Sequence, residues 1–258
     1  MSYRRIVCLT EETVETLYLL GQEARIVGVT GYAVRPARVR AEKPRIGAFT
    51  SADVPKILGL RPDLVLGFSD LQADIAAELI RAGIEVHIFN QRDVAGILRM
   101  IRNLGAMIGC ADQAGALAAG YEARIAALRN VARPCNLRVF IEEWDVPLIS
   151  GIGWVSELVE IAGGRDVFAE RAAEALAKDR ILRPEEVPPR APDVILASWC
   201  GKKVVPARIA ARPGWDSIPA VRNGRIHEIK SPLILQPGPA ALSDGLDAIL
   251  RALWPDHG

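Results

Sequence analysis

The sequence predicts an α/β fold of two similar lobes joined by one long helix, and three observations carry that prediction. Short β-rich runs (RIVCL, DLVLGF, VHIF, RVFI, DVILASW and RIHEI) alternate with longer stretches of helical spacing, the pattern of a chain that lays down strands and helices in turn. The segment VPKILGLRPDLVLGFS at residues 54–69 is echoed by EEVPPRAPDVILASWC at 185–200: Arg, a Pro-Asp pair, an apolar strand and an aromatic at its end. Between the two halves runs ADQAGALAAGYEARIAALRNVARP, long enough to bridge them as a single helix.

Taken in order, RIVCLTEETVETLYLLG (5–21) reads as a strand feeding directly into a helix, with Glu11 and Glu12 in its first turn and Gly21 as its stop. LQADIAAELIRAGI places Leu71, Ile75, Leu79 and Ile80 on one apolar face and ends at Gly83 before the strand VHIF. In the bridging segment Leu117, Tyr121, Ile125 and Leu128 recur at helical spacing, and Pro134 ends the run. RVFIEEWDVPLISGIGWVSELVEIAGG (138–164) then repeats the opening strand-to-helix design. The offset from Gly21 to Gly163 is close to that from Asp63 to Asp193, so the repeat is a duplicated lobe and not a solenoid. The expected division is residues 1–109, a linking helix over 110–133, and residues 134–258. A helical brace of this kind predicts limited opening and closing.

Composition narrows the function. The chain has 258 residues, half of them apolar, enough for substantial cores. With 32 basic and 31 acidic residues its formal charge is +1, and no long run of one sign offers a nucleic-acid surface. No apolar run reaches the ~20 residues of a membrane span. The start, MSYRRIVCLTEE, lacks the apolar stretch of an export signal. As written this predicts a cytoplasmic protein, or a periplasmic one if a signal has been removed and a Met restored. Cys8, Cys110, Cys135 and Cys200 are scattered, with no CxxC pair and no histidine at ligand spacing, which reads as free thiols and no metal.

In open α/β lobes ligands bind beyond the carboxyl ends of the strands. The residues there are Glu11 and Glu12 after the first strand, Phe68 and Ser69 after DLVLGF, Glu142, Glu143 and Trp144 after RVFI, and Trp199 and Cys200 after DVILAS. Glu11 and Glu12 read equally well as helix-start residues favoured by the macrodipole. Trp154 and Trp254 read as core. Trp144, Trp199 and Trp215 lie in Gly- or Pro-rich surroundings that suit an aromatic wall, and Glu142 and Glu143 read as loop residues. Aromatic walls with a few acids fit a bulky ligand that is neutral or cationic. Catalytic signals are poor: there is no P-loop, GxSxG, HExxH or GxGxxG opening a helix, and His87, His227 and His257 fall outside the candidate loops. The reading is therefore not an enzyme and no resident cofactor. A carboxylate-dependent hydrolase is the less favoured alternative.

Over nearly its whole length the chain resembles the helical-linker (class III) periplasmic solute-binding proteins of ABC importers, closest to those that bind cobalamin. RIVCLTEETVETLYLLG, GYAVRP, LGLRPDLVLGF, and AVRNGRIHEI followed by LQPGPAALSDGL carry the resemblance. It implies two Rossmann-like lobes with a ligand cleft between them, holding cobalamin or a related corrinoid. Carried over position by position, it places Tyr32 and Phe49 in that cleft on the first lobe and Trp144, Leu148, Trp215 and Gln236 on the second, with Trp199 beside them. Glu12, Phe68 and Glu143 complete the predicted ligand set. The family presents one glutamate per lobe to its permease; Glu185 matches the second, while Pro55 stands at the first, leaving Asp53 or Lys56 to substitute. Gln236 and Ala240 replace arginines common in the family, and Glu11-Glu12 replaces Pro-Ser, which disfavours anionic siderophores and haem. The rival reading is a cytoplasmic carrier or sensor on the same scaffold.

Overall fold

A computed structural model describes residues 3–131 and 137–255; Pro134, Cys135 and His257, named above, lie outside the described residues. The chain divides into two compact units, Met1–Gln91 with Ala95–Gly120, and Arg92–Val94 with Tyr121–Gly258.

In the N-terminal unit the strands are β1 (Ile6–Cys8), β2 (Ile26–Val29), the short antiparallel pair β3 (Gly47–Ala48) and β4 (Ser51–Ala52), β5 (Leu64–Phe68) and β6 (Val86–Phe89). The helices are α1 (Glu11–Leu19), α2 (Val39–Glu42), α3 (Val54–Gly59), α4 (Ala73–Arg81), α5 (Val94–Met107) and the first part of α6 (Ala111–Arg129), which belongs to the C-terminal unit from Tyr121 onward. The main sheet is parallel throughout, in the order β2-β1-β5-β6. Every residue of β5 is buried, as a continuous apolar run in the middle of a parallel sheet must be. The strand order reverses between β1 and β5: β2 lies to one side of β1, and the chain returns to the other side for β5 and β6.

Gly21 and Gly83 adopt the left-handed conformation predicted for helix stops, at φ +66° and +82°. The apolar face expected on α4 is only partly as the spacing predicts. Leu79 is buried and Ile75 packs beside it, but Leu71 and Ile80 are exposed. Leu71 belongs to a 3₁₀ turn, Asp70–Gln72, that precedes the helix, so its direction is set by the turn and not by the helical period. Along α6, Ala114, Ala118 and Ile125 are buried and Leu117, Tyr121 and Leu128 half-buried, the predicted stripe with two alanines added. Gly105 lets α5 and α6 meet, since a Cβ there would stand 2.1 Å from that of Ala114.

In the C-terminal unit β7 (Leu137–Asp145), β8 (Leu148–Ser150), β9 (Gly164–Asp166), β10 (Val194–Ala197) and β11 (Ile226–Glu228) form one sheet, β11-β10-β7-β8, with β9 also beside β7. All pairings are parallel except β7 with β8. Its helices are α7 (Gly153–Ile161), α8 (Ala169–Ala172), α9 (Pro206–Ala210), α10 (Pro219–Arg222), α11 (Ser231–Ile234) and α12 (Leu246–Leu253). Glu142 and Glu143, read above as loop residues, are strand residues. β7 continues through them to Asp145 and turns at Val146–Pro147 into β8. All five tryptophans of the chain lie in this unit.

The internal repeat has a physical content that each unit shows separately. The Asp63 carboxylate accepts the backbone amides of Arg4 and Arg5 at 2.7 and 2.9 Å, and its own amide donates to the Arg5 carbonyl. Asp193 accepts the Arg138 amide at 2.9 Å and two guanidinium bonds, and its amide donates to the Arg138 carbonyl. In both units the Pro-Asp pair thus ties the start of the central strand to the start of the unit's first strand, and so sets their register.

Candidate functional site

Ligands in open α/β sheets sit beyond the carboxyl ends of the strands where the strand order reverses. In the N-terminal unit that point lies between β1 and β5, and the residues that follow them are Leu9 to Glu12 and Ser69 to Gln72. Thr10, Glu12, Ser69 and Gln72 are all buried there, and Thr30 after β2 joins them. Gln72 is fully bonded: its Oε1 accepts the Phe68 amide at 2.9 Å and its Nε2 donates to the carbonyls of Leu9 and Phe49. Gly67 makes room for this, because a Cβ there would meet Gln72 Oε1 at 2.7 Å. Ser69, a non-glycine residue at φ 64°, holds a strained backbone at the end of the central strand, and its hydroxyl accepts the Leu71 amide. Sequence reasoning passed over Gln72; a glutamine five residues after a strand glycine was the available signal.

Glu12 is different. It is 1 % exposed, and neither carboxylate oxygen has a hydrogen-bond partner. Burial pushes its carboxyl up to about 7, and the nearby Thr10 hydroxyl and local backbone only partly offset that. The first-turn position would favour the anion through the helix dipole. Desolvation outweighs it.

Of the other first-lobe residues, Tyr32 is half exposed after β2, its amide donating to Thr30 Oγ1. Phe49 is half-buried between β3 and β4, and Phe68 is buried at the end of β5.

In the C-terminal unit the reversal falls between β7 and β10, where Glu142 pairs in register with Ala197 and Ser198 donates its amide to the Glu142 carbonyl at 2.9 Å. Glu142 has no exposure. Arg212 grips its carboxylate with two bonds, 2.6 and 2.8 Å, and the Trp199 indole N–H adds a third at 3.1 Å. Glu143 is held in the same way by Arg180, at 2.6 and 3.0 Å, and Asp145 by Lys202 at 2.6 Å. The expectation of an acidic surface here is therefore corrected: each acid at these strand ends has its own cation, and the set is neutral. Arg180, Arg212 and Lys202 lie far along the chain from the acids they pair with, so no local spacing announced them.

The aromatic walls are corrected too. Trp199 and Trp215 are core residues, 2 % and 0 % exposed, and Leu148 is buried with them. Trp215 donates to the Pro184 carbonyl and lies edge-on to Phe140, with Arg212 over its ring at 4.5 Å. The Gly- and Pro-rich loops around these tryptophans close over the sheet, so loop composition did not mean exposure. Trp144 is half-buried, donates to the Val146 carbonyl at 2.9 Å, and carries the Lys202 ammonium 5.4 Å from its ring centre. Gln236 is half-buried. Trp154 is a core residue as read, bonding the Ile234 carbonyl, while Trp254 is half-buried and bonds the Ala162 carbonyl. Glu185 is exposed, as is Pro55, and Asp53 caps α3 by accepting the Lys56 amide.

Among the described residues no group of His, Cys, Asp and Glu is arranged to hold a metal ion. Cys8, Cys110 and Cys200 form no disulfide among the described residues, and burial raises the Cys8 thiol to about 12. His87 and His227 have pKa values lowered by burial and stand on strands. Among the described residues no helix is long and apolar enough to cross a membrane.

Two α/β units, each on a mainly parallel sheet with buried polar groups where its strand order reverses, define a two-domain binding protein. The chain belongs to the periplasmic binding protein family, whose sequence pattern matches residues 6–233. It is 25 % identical over 264 residues to the ABC transporter substrate-binding lipoprotein YvrC of Bacillus subtilis, covering 98 % of this chain and 81 % of that one. It is 24 % identical to a cobalamin-binding protein of Halobacterium salinarum, over 91 % of this chain and 65 % of the relative. Among solved structures, the periplasmic haem-binding protein RhuT from Roseiflexus sp. RS-1 superposes with a TM-score of 0.80 at 26 % identity, covering 98 % of this chain and all of that one. The chain is a solute-binding protein of the kind that serves ABC importers.

Proposed function

We propose that the solute is a corrinoid, cobalamin or a close relative, captured at the strand-end surfaces and handed on to an ABC importer without chemical change. The observation that carries this reading is the charge balance of those surfaces. Glu142, Glu143 and Asp145 are each neutralised by a cation of the same unit, and the Glu12 carboxyl, with no cation, is pushed up to about 7 by burial, so that its acid form prevails below that pH. Strand-end surfaces that carry little net charge, each within its own unit, suit a ligand that is neutral overall and rimmed by amides, as cobalamin is. Haem, with two carboxylates, would require the buried Arg180 to leave Glu143 or Arg212 to leave the buried Glu142, and unpairing a buried charge is costly. The existence of cobalamin-binding relatives supports the same choice. Glu185, exposed on the C-terminal unit, is the residue we assign to permease docking.

The test is equilibrium dialysis against cyanocobalamin, dicyanocobinamide and haem. Saturable binding of a corrinoid with haem at least tenfold weaker is expected from the loss of ~1.4 kcal/mol or more on unpairing an arginine. Preference for haem, or no corrinoid binding, overturns the assignment.

A further inference from the structure

We propose that Glu12 receives the solute as a neutral carboxylic acid, donating its proton to a carbonyl oxygen of the solute, so that capture takes up a proton and weakens in alkaline solution. This rests on the solute-binding reading and adds to it the chemistry of one contact.

The geometry is that of the strand-order reversal in the N-terminal unit. Glu12 is the fourth residue after β1, in the first turn of α1, and β1 is paired with β5 at the reversal where the strand-end rule puts the ligand. Its neighbours at that point are already bonded within the protein: Gln72 to three backbone groups, Ser69 to the Leu71 amide, and Thr13 Oγ1 to the Thr10 carbonyl. Glu12 is the one carboxylate among the described residues with both oxygens buried and no partner in hydrogen-bond geometry; the Thr10 hydroxyl and the local backbone lie near enough to favour its anion slightly, but the hydroxyl is engaged with Thr13 Oγ1 at 3.3 Å. An unsatisfied buried carboxyl costs free energy that a bound solute can recover by supplying the missing partner.

The protonation state follows from the charges around it. The helix α1 lies on β1, β2 and the 3₁₀ turn Glu23–Arg25, whose Glu23 pairs with Arg38 at 2.9 Å and whose Arg25 donates to the Tyr3 and Ile108 carbonyls. From β1 comes the Cys8 thiol, neutral because burial raises it; β2 (Ile26–Val29) brings no ionisable side chain. From α5, Met100 reaches α1 at Thr16, again without charge. On α1 itself stand Glu11 and Glu15, the latter paired with Arg35 at 2.9 Å. Lys43 acts on Cys8, but no lysine or arginine acts on Glu12. With desolvation unopposed by any cation, the acid form prevails below about 7. A neutral acid differs from a carboxylate as a recognition group, since it donates one hydrogen bond as well as accepting. Carbonyl-rich solutes such as corrin amides fit the donor; an ammonium group would fit only the anion.

The test measures affinity for cyanocobalamin and dicyanocobinamide near pH 6 and near pH 8. Wild-type affinity should fall about tenfold between them, the factor by which the protonated share of a group titrating at about 7 declines. E12Q keeps a donor at the same place and should bind with an affinity that no longer depends on pH. Wild-type affinity that is flat or rises with pH overturns the proposal, a rise being the mark of a cationic solute on an ionised Glu12. Infrared difference spectra of the ligand-free wild type and E12Q provide a reading independent of ligand. A protonated-carboxyl band present near pH 6 and absent near pH 8 is expected, and its loss already near pH 5 overturns the proposal. If neither corrinoid binds at any pH, the corrinoid assignment fails, and the infrared result still decides whether Glu12 is an acid.

Discussion

Arg212 and Glu142 form a two-pronged ion pair, 2.6 and 2.8 Å, around a carboxylate that has no solvent exposure. Removing one partner alone leaves a buried charge unmatched. Arg212→Met should therefore destabilise the protein by about 3 kcal/mol or more, and Glu142→Gln in addition should restore a large part of that loss. Urea denaturation of the two single variants and the double variant gives the coupling energy directly.

Glu12 presents the opposite case, and its linkage to folding has a definite sign. Its folded-state pKa, about 7, lies above the ordinary carboxylate value of 4.5. Its contribution to stability is present in full below 4.5 and is lost as pH rises through 7, because the unfolded chain ionises first. Compared with E12Q, the wild type should lose on the order of 3 kcal/mol over that interval and nothing further above it. Melting temperatures of the two proteins near pH 4.5 and near pH 8 check this; a difference that does not change with pH would refute it.

Asp193 binds the start of β7 with one backbone amide and two guanidinium bonds, and Asp63 binds the start of β1 with two amides. Asp193→Ala should cost about 2 kcal/mol and Asp63→Ala about 1 kcal/mol, since the latter removes bonds at an exposed site. Chemical denaturation followed by circular dichroism measures both.

Lys202 sits 5.4 Å from the Trp144 ring centre and 5.0 Å from that of Trp199, with its ammonium on Asp145. Because the lysine is partly exposed, Lys202→Met should change stability by less than about 1 kcal/mol. It should nonetheless shift the emission of Trp144, whose ring loses the adjacent positive charge. A spectrum identical to the wild type would place that indole elsewhere.

How much of this could be read from the chain depends on distance along it. The strands LVLGF and VILA, the helix stops at Gly21 and Gly83, and the paired Pro-Asp segments were legible because period, φ requirement and repetition are local properties. Glu12 was legible as a strand-end acid. The neutrality of the other strand ends was not, since Arg212 stands 70 residues from Glu142 and Arg180 stands 37 from Glu143. Nor did the loops around Trp199 and Trp215 reveal that both rings face inward: glycine and proline mark a turn without saying which way its neighbours point. Leu71 failed for a related reason, as one 3₁₀ turn was enough to rotate it off the face that its spacing predicted.

The confinement of all five tryptophans to the C-terminal unit gives the molecule two spectroscopic halves. Excitation at the red edge of protein absorbance addresses residues Trp144 to Trp254 alone, while Tyr3, Tyr18 and Tyr32 are the fluorophores of the other unit. Unfolding, ligand arrival or a substitution can thus be assigned to one unit without adding a label. A single tryptophan introduced at Phe49 would give the N-terminal unit a signal of its own.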